Sequence, residues 1–380
     1  MEIRHYTKFE KDTWDKFVFS SSMGWAYFLY DMIKFHSDES FINESFAIVD
    51  NENILMIMQL HRTPKKTLTS QWGFVIANHL TKKQKKLLKS TYEKHIDFLM
   101  KKYQIKKFDI NIAPLTADNL PEKHNMVNPV LFYNFAPSIR YTYIVDLSKP
   151  DDRLLADCEE TTRQAIRNID DSHRYSVIKS EGSEEDCKTY IKLHKETYTR
   201  TGASSAIIAD SYHKNIFETL IPEGIANVYF LKDNIKNEYV ATVAILIYNK
   251  TAYYWWGSSK NDKEIGVNKY LLFKVIYETK QQFENQGYFE TGGAYPFLRG
   301  GKYKGLNDYK KCFGTFLHPI FTGVYVKIPV PHKVINIFGI KISYKTKTLM
   351  AVERERERER ESNPSSCKKS SLKGELHDWK

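Results

Sequence analysis

Two periods of apolar and polar positions alternate along this chain, and the points where they switch outline its elements. Thr13 to Phe19 and Ala26 to Phe35 place apolar residues at helical spacing. Phe46 to Val49 and Ile54 to Leu60 read as a hairpin about Asp50-Asn51-Glu52-Asn53. Thr81 to Tyr103 predicts an amphipathic helix: Leu87, Leu88, Tyr92, Ile96, Phe98 and Leu99 lie near one stripe, and lysines cover the rest. Phe108 to Ile112 then reads as a strand.

The second half repeats this order without visibly repeating the residues. Asp152 to Ile169 and Glu184 to Arg200 have helical spacing. Ala226 to Leu231 and Tyr239 to Tyr248 read as strands with a turn at Asp233-Asn234, and Thr251 to Gly257 as a third. Asn268 to Gln286 predicts a long helix, and Tyr288 to Glu290 opens another strand. Helices, hairpin, strand, long helix, strand: the same order twice predicts duplicated α/β units. The expected boundary is near Ser148-Lys149-Pro150. It gives one domain over 1–148, a second over 149–330, a basic apolar extension over 331–352 and a disordered tail over 353–380.

Ile320 to Lys347 carries Ile-Pro-Val-Pro and apolar residues between lysines. We read it as a closing strand pair on the second domain. The alternative is a segment resting on an anionic membrane surface. Beyond it, Glu353 to Glu361 alternates Glu and Arg without a break, then gives way to Ser, Lys and Pro. Such a composition cannot bury a core. An AG dinucleotide tract encodes alternating Arg and Glu in every frame, so slippage there would replace all residues downstream.

The formal charge of +11 changes the list of partners. From Glu353 onward there are 8 Lys/Arg and 7 Asp/Glu, a net +1, which leaves +10 on the body. A basic body suits an anionic partner: a nucleotide, CoA, tRNA, a diphosphate-linked sugar or an anionic membrane. The alternative is that its lysines only keep the surface soluble. Cys158, Cys187, Cys312 and Cys367 show no C-x-x-C spacing, which predicts reduced thiols, no metal site and a cytoplasmic protein. No run of about 18 apolar residues is present to span a membrane.

Candidate chemistry gathers between Ala252 and Gly314. The strand Ala252-Tyr-Tyr-Trp-Trp-Gly257 leads through a glycine-bearing loop into the helix at Asn268. A strand, a glycine loop and a helix N-terminus make an anion site. Backbone amides at Gly266, Val267 and Asn268 would hold a pyrophosphate, with Lys263 and Lys269 adding charge. The competing reading is an ordinary strand-to-helix turn. Downstream, Glu290 stands at a strand end before Gly292-Gly293. Glu290 and Asp308 are candidate proton acceptors. Tyr254, Trp256 and Tyr303 are candidate substrate contacts, with core packing as the alternative for the aromatics.

The run Gly305-Leu-Asn-Asp-Tyr-Lys310-Lys-Cys-Phe-Gly314 resembles the "gl..FK..FG" pattern of the FemAB-like branch of the GNAT superfamily, with Tyr in place of the first Phe. Arg163-Gln-Ala-Ile-Arg167-Asn and Thr197-Tyr-Thr-Arg200-Thr-Gly202 resemble two further segments of that branch, as do Trp25 and Lys34 more loosely. The branch includes peptidoglycan bridge aminoacyltransferases and acetyltransferases of surface-glycan gene clusters. The resemblance implies two tandem GNAT-like domains with mixed central sheets flanked by helices. It implies Lys310 near the reacting carbonyl or a phosphate, and Lys34 and Arg200 on the acceptor. It implies acyl transfer to an amine of a sugar or cell-envelope precursor, sugar-nucleotide or lipid-linked, at the inner face of the membrane. Acetyl-CoA is the simplest donor and no cofactor stays bound. Lys263-Glu-Ile-Gly266-Val-Asn268 departs from the full CoA loop, which leaves aminoacyl-tRNA as the alternative donor. A third reading, a non-catalytic nucleic-acid-binding protein, has no helix-turn-helix or RNP pattern behind it, and DNA is not an expected partner.

Overall fold

The computed structural model describes residues 1–35, 41–121, 128–202, 210–260, 266–297 and 302–326. The extension over 331–352 and the tail therefore lie outside the described residues.

The first half opens with β1 (Glu2–His5), α1 (Lys11–Ser20), α2 (Tyr30–Phe35) and β2 (Ile42–Asn43). The hairpin follows as β3 (Phe46–Asp50) and β4 (Asn53–Met58), turning through Asn51 and Glu52 at positive φ. Then come β5 (His61–Arg62), β6 (Thr67–Ser70), β7 (Phe74–Ile76), α3 (Lys82–Lys102), β8 (Lys107–Asn111) and β9 (Ala136–Asp146). Thr81 caps α3: its hydroxyl accepts from the Gln84 amide at 3.2 Å, and the Gln84 side chain accepts from the Thr81 amide at 3.0 Å. The buried face of α3 is Leu88, Tyr92, Ile96, Leu99 and Met100.

The second half holds α4 (Asp151–Ala156), α5 (Glu160–Asp171), β10 (Tyr175–Lys179), α6 (Glu184–Arg200) and α7 (Asp210–Asn215). It continues with β11 (Ala226–Asp233), β12 (Glu238–Tyr248), β13 (Thr251–Ser259), α8 (Val267–Gln282), β14 (Tyr288–Ala294), α9 (Lys302–Lys311) and β15 (Phe316–Val326).

Two of the expected helices are each broken in two. The Ala26 to Phe35 stretch becomes a 3-10 turn and α2, because Leu29 is extended (ψ 146°). Tertiary bonds hold the break. The Trp14 indole N–H donates to the Phe28 carbonyl at 2.7 Å, and the Asp15 carboxylate accepts from the Tyr30 amide at 2.7 Å. The Asp152 to Ile169 stretch divides into α4 and α5 at Glu159 (ψ 146°), whose amide donates to the Cys312 carbonyl. In both places a partner distant in sequence overrides the local helical period.

Each half contains a parallel strand pair around a long helix. β6 and β8 are parallel about α3, and β13 and β14 are parallel about α8. The strands that follow are exchanged. β9 ends the first half yet pairs with β14 of the second (Tyr288 opposite Asp146). β15 ends the second half yet pairs with β8 of the first (Thr322 opposite Asn111). β9 and β15 also pair with each other, from Phe316 opposite Ile144 to Val324 opposite Ala136. One sheet of eleven strands thus crosses both halves, beside a sheet of order β1-β3-β4-β7. The part of the expected closing strand pair that is described is this single strand β15, and it completes the first half rather than the second. Sequence pattern cannot show such an exchange, since an amphipathic strand fits either neighbour.

The halves also share a core. Trp14, Trp25 and Phe28 of the first pack with Tyr190, Phe217 and Phe230 of the second. Phe19 stacks on Tyr248 at 5.4 Å, and the Tyr248 hydroxyl donates to the Val18 carbonyl at 3.1 Å.

Candidate active site

Where the halves meet, an open cleft of 670 Å³ is lined by Gln71, Trp72, Arg140, Tyr253, Glu290 and Tyr295, among others. Its floor is aromatic: Trp72 and Tyr253 pack on Trp25 at 4.7 and 5.8 Å between ring centroids. Arg140, exposed on β9, has no ion pair among the described residues.

Glu290 is the buried charge of this cleft, 1% exposed. Strand β14 carries it inward, opposite Tyr253 on one neighbour and Ile144 on the other. The Thr142 hydroxyl donates to its Oε1 at 2.5 Å, while Oε2 has no partner among the described residues. Burial pushes the carboxyl up to about 7, against the opposing pull of the Thr142 hydrogen bond and of the Lys310 charge. A carboxyl poised near neutrality, with one oxygen unsatisfied on a cleft wall, is suited to accept a proton.

Lys310 comes from the last turn of α9. Its Nζ approaches the Gly293 carbonyl at 3.4 Å, and a Cβ on Gly292 would stand 2.7 Å from that Nζ. Gly292 also has φ +95°, a backbone conformation that strains any L side chain and favours glycine here. Burial lowers the Lys310 ammonium from its ordinary value, against the Glu290 charge.

Beyond Tyr253 and Glu290, β13 and β14 part. Parallel pairing covers only Thr251–Tyr253 with Tyr288–Glu290, while β13 runs on to Ser259. At the mouth of this gap α8 starts from Gly266 at φ +110°, with no side-chain cap among the described residues. Among the described residues, the first-turn amides of Val267, Asn268 and Lys269 have no partner. Uncapped amides at a helix N-terminus attract phosphate oxygens. Gly266 lies close on α5, where a Cβ would stand 2.7 Å from the Ala165 methyl. The Tyr309 hydroxyl donates to the Asn268 carbonyl at 3.2 Å, so α9 ties the Lys310 neighbourhood to the start of α8.

The remaining sequence candidates fall in several places. Lys269 donates to the Thr162 hydroxyl at 3.0 Å, and Lys263 lies outside the described residues. Arg200 donates to the Ser259 carbonyl at 3.1 Å, and Asn268 donates to the Ser259 hydroxyl at 2.9 Å. Arg200 thus stands at the β13–α8 junction and not among the residues lining the cleft. Tyr303 is 58% exposed and meets Tyr295 at the cleft rim, 5.4 Å between centroids. Asp308 faces solvent, ion-paired to Lys304 one turn away, which holds its carboxyl below the ordinary value. Tyr254 packs toward the α8 side, 6.4 Å from Tyr309. Trp256 packs on the opposite face with Tyr198 and His194, its indole N–H unpartnered. Between them Trp255 is a bulge: Ile245 faces Tyr254 and Ala244 faces Trp256. Lys34 lies in α2, and its side chain is outside what is described. Sequence reasoning passed over Thr142, Arg140 and Trp72, all in the first half. The only available signal was the alternation in Arg140-Tyr-Thr-Tyr-Ile.

Residues 156–311 match the model of the acetyltransferase (GNAT) domain family. The second half of this chain carries a GNAT domain. The parting strands and the uncapped α8 both fall inside it. FemX shares its fold over 84% of this chain and 97% of that chain, with a TM-score of 0.60 at 17% identity. L-PGS from Bacillus licheniformis does so over 90% of this chain and 96% of that chain, with a TM-score of 0.55 at 13% identity. The likeness in fold to these two structures thus covers both halves. No curated protein sequence matches the chain. Among the described residues, no helix is long and apolar enough to cross a membrane.

Proposed function

We propose that this GNAT-type acyltransferase moves an acetyl group from acetyl-CoA to a primary amine bound in the cleft between its halves. The acceptor is an amino group on a sugar or cell-envelope precursor. Glu290 carries this reading: a buried carboxyl of near-neutral pKa, with a spare oxygen, on the cleft wall. The donor's phosphates bind the first turn of α8, and its acyl arm lies between β13 and β14. The amine nitrogen attacks the thioester carbonyl carbon, the new C–N bond forms and the C–S bond breaks. Glu290 takes the amine proton, and the sulfur leaves as a thiol after protonation. Lys310 adds positive charge beside the carboxylate. Most of the acceleration comes from holding the two reactants in register. Arg140, free of an ion pair among the described residues, supplies a cation for an anionic group on the acceptor.

A second reading has a specific support. The likeness to FemX and L-PGS spans both halves and hence the whole cleft. It favours aminoacyl transfer from tRNA, for which the basic body is suited.

Thermal shift separates the two. We expect acetyl-CoA to raise Tm by mass action. Gly266→Ala, which strains a residue at φ +110° and pushes α5 off the start of α8, should raise the KM for acetyl-CoA about tenfold and leave the KM for the amine unchanged. Indifference to every CoA species, with stabilisation by aminoacyl-tRNA, would replace the first reading by the second.

A further inference from the structure

Thr142 lies outside residues 156–311, the part that matches the GNAT family model, yet its hydroxyl reaches the acid of that part. It is fully buried in β9, between Gly293 of β14 and His318 of β15. Its backbone is therefore pinned by a strand on either side, and its β-branched side chain has few rotamers open to it. We propose that Thr142 is a positioning residue of the acyl-transfer site: its hydroxyl holds one oxygen of the Glu290 carboxyl and leaves the other to take the amine proton. The inference rests on the reading of Glu290 as proton acceptor, and it makes the first half a working part of the site in the second.

The register brings the two side chains together. Glu290 stands opposite Ile144, and Thr142 is two residues away on the same face of β9. A long side chain reaches such a diagonal neighbour. The pairing slips by one between Glu290 and Gly292, which makes Thr291 a bulge. The Thr291 hydroxyl shares its proton between the Tyr143 carbonyl at 3.3 Å and the Lys310 carbonyl at 3.1 Å. β9, β14 and the end of α9 are thus tied together beside Glu290.

Among the described residues, Thr142 is the one hydrogen-bond donor to the Glu290 carboxyl. The titratable groups around it are Lys310 from α9, Tyr253 from β13 and Tyr27 from the first half. Burial pushes both phenols up, so they stay neutral near pH 7. The Lys310 charge favours the ionised carboxyl through space. Thr142 favours it by direct contact, and only direct contact selects which oxygen is engaged. A methyl in place of the hydroxyl would leave that oxygen buried without a partner.

The test is infrared titration of the full chain, which needs no acceptor. Most carboxyls are ionised by about pH 6. The C=O band that is lost above that pH, and is missing from Glu290→Gln, therefore reports Glu290. In the unchanged protein we expect it to be lost through about pH 7. Thr142→Val, of nearly the same shape, should move that loss up by about one pH unit, and the kcat–pH profile should follow it. Thr142→Ser keeps the hydroxyl and should keep the loss near 7, a rescue that a packing role would not give. An unmoved band in Thr142→Val, or an equal move in Thr142→Ser, would overturn the proposal. So would the lack of a Glu290 band in all three proteins, since the carboxyl would then ionise without regard to Thr142. A Glu290→Gln chain with undiminished acetyl transfer would overturn the underlying reading, and the role of Thr142 with it, while the band shifts stayed in place. The two failures are thereby told apart.

Discussion

Glu290→Gln is expected to abolish most of the turnover and, at alkaline pH, to make the protein more stable. Loss of a positioned proton acceptor lowers kcat by roughly 10²- to 10⁴-fold. In the unchanged protein kcat should rise with pH through about 7, as the Glu290 carboxyl loses its proton. The stability effect has the opposite sign. The carboxyl titrates near 4.5 in the unfolded chain and about 7 in the folded one. Between those values the native state keeps a proton that the unfolded state has released. Stability therefore falls as pH rises from about 4.5 to 7, by about 3 kcal/mol in all, and stays level above. Glutamine keeps an oxygen for the Thr142 hydroxyl and removes this loss. For a chain of this size the gain at pH 8 is several degrees in Tm. Paired melting curves of the two proteins at pH 5 and pH 8 check it. Parallel behaviour at both would show that the Glu290 carboxyl is not raised in the fold, and the expected rise of kcat through about pH 7 would fail with it.

The second large effect is expected from Gly292→Ala. The added Cβ meets Lys310 Nζ at 2.7 Å and forces an L residue to φ +95°. The backbone strain costs about 1–3 kcal/mol. The lysine end is flexible and swings away, so the fold survives while the ammonium leaves its place at the Gly293 carbonyl, and with it the position from which its charge acts on Glu290. We expect kcat to fall about 10- to 100-fold and Tm to fall by a few degrees. Gly293→Ala is the control, since no atom lies within 4 Å of its added Cβ and its φ is not positive. A Gly292→Ala enzyme with full kcat would show that the position of Lys310 has no part in the transfer.

Both predictions rest on neighbours that the chain order hides. The amphipathic pattern is enough to place α3 and α6: α6 runs over the Glu184 to Arg200 predicted for it, with the Ser183 hydroxyl accepting from the Asp186 amide. The hairpin of β3 and β4 and the aromatic strand β13 were equally legible, because period and turn residues are local properties. The breaks at Leu29 and Glu159 were not, since Asp15 and Cys312 supply the competing bonds from elsewhere in the chain.

For the site, residue types and motif spacing pointed to Glu290, Lys310 and the start of α8 as chemistry-bearing. What they do to one another required the fold. The Glu290 carboxyl rises because β9, from the first half, closes against β14 and removes water from it. Thr142 reaches it across 148 residues. Asp308, two residues from Lys310 in sequence, turns to solvent because one helix cannot aim both inward. Local sequence thus determined the elements and the chemical groups available. The exchange of β9 and β15, and with it the cleft, its burial and its charge balance, was decided only in the tertiary structure, because desolvation depends on which strands meet and not on where each begins.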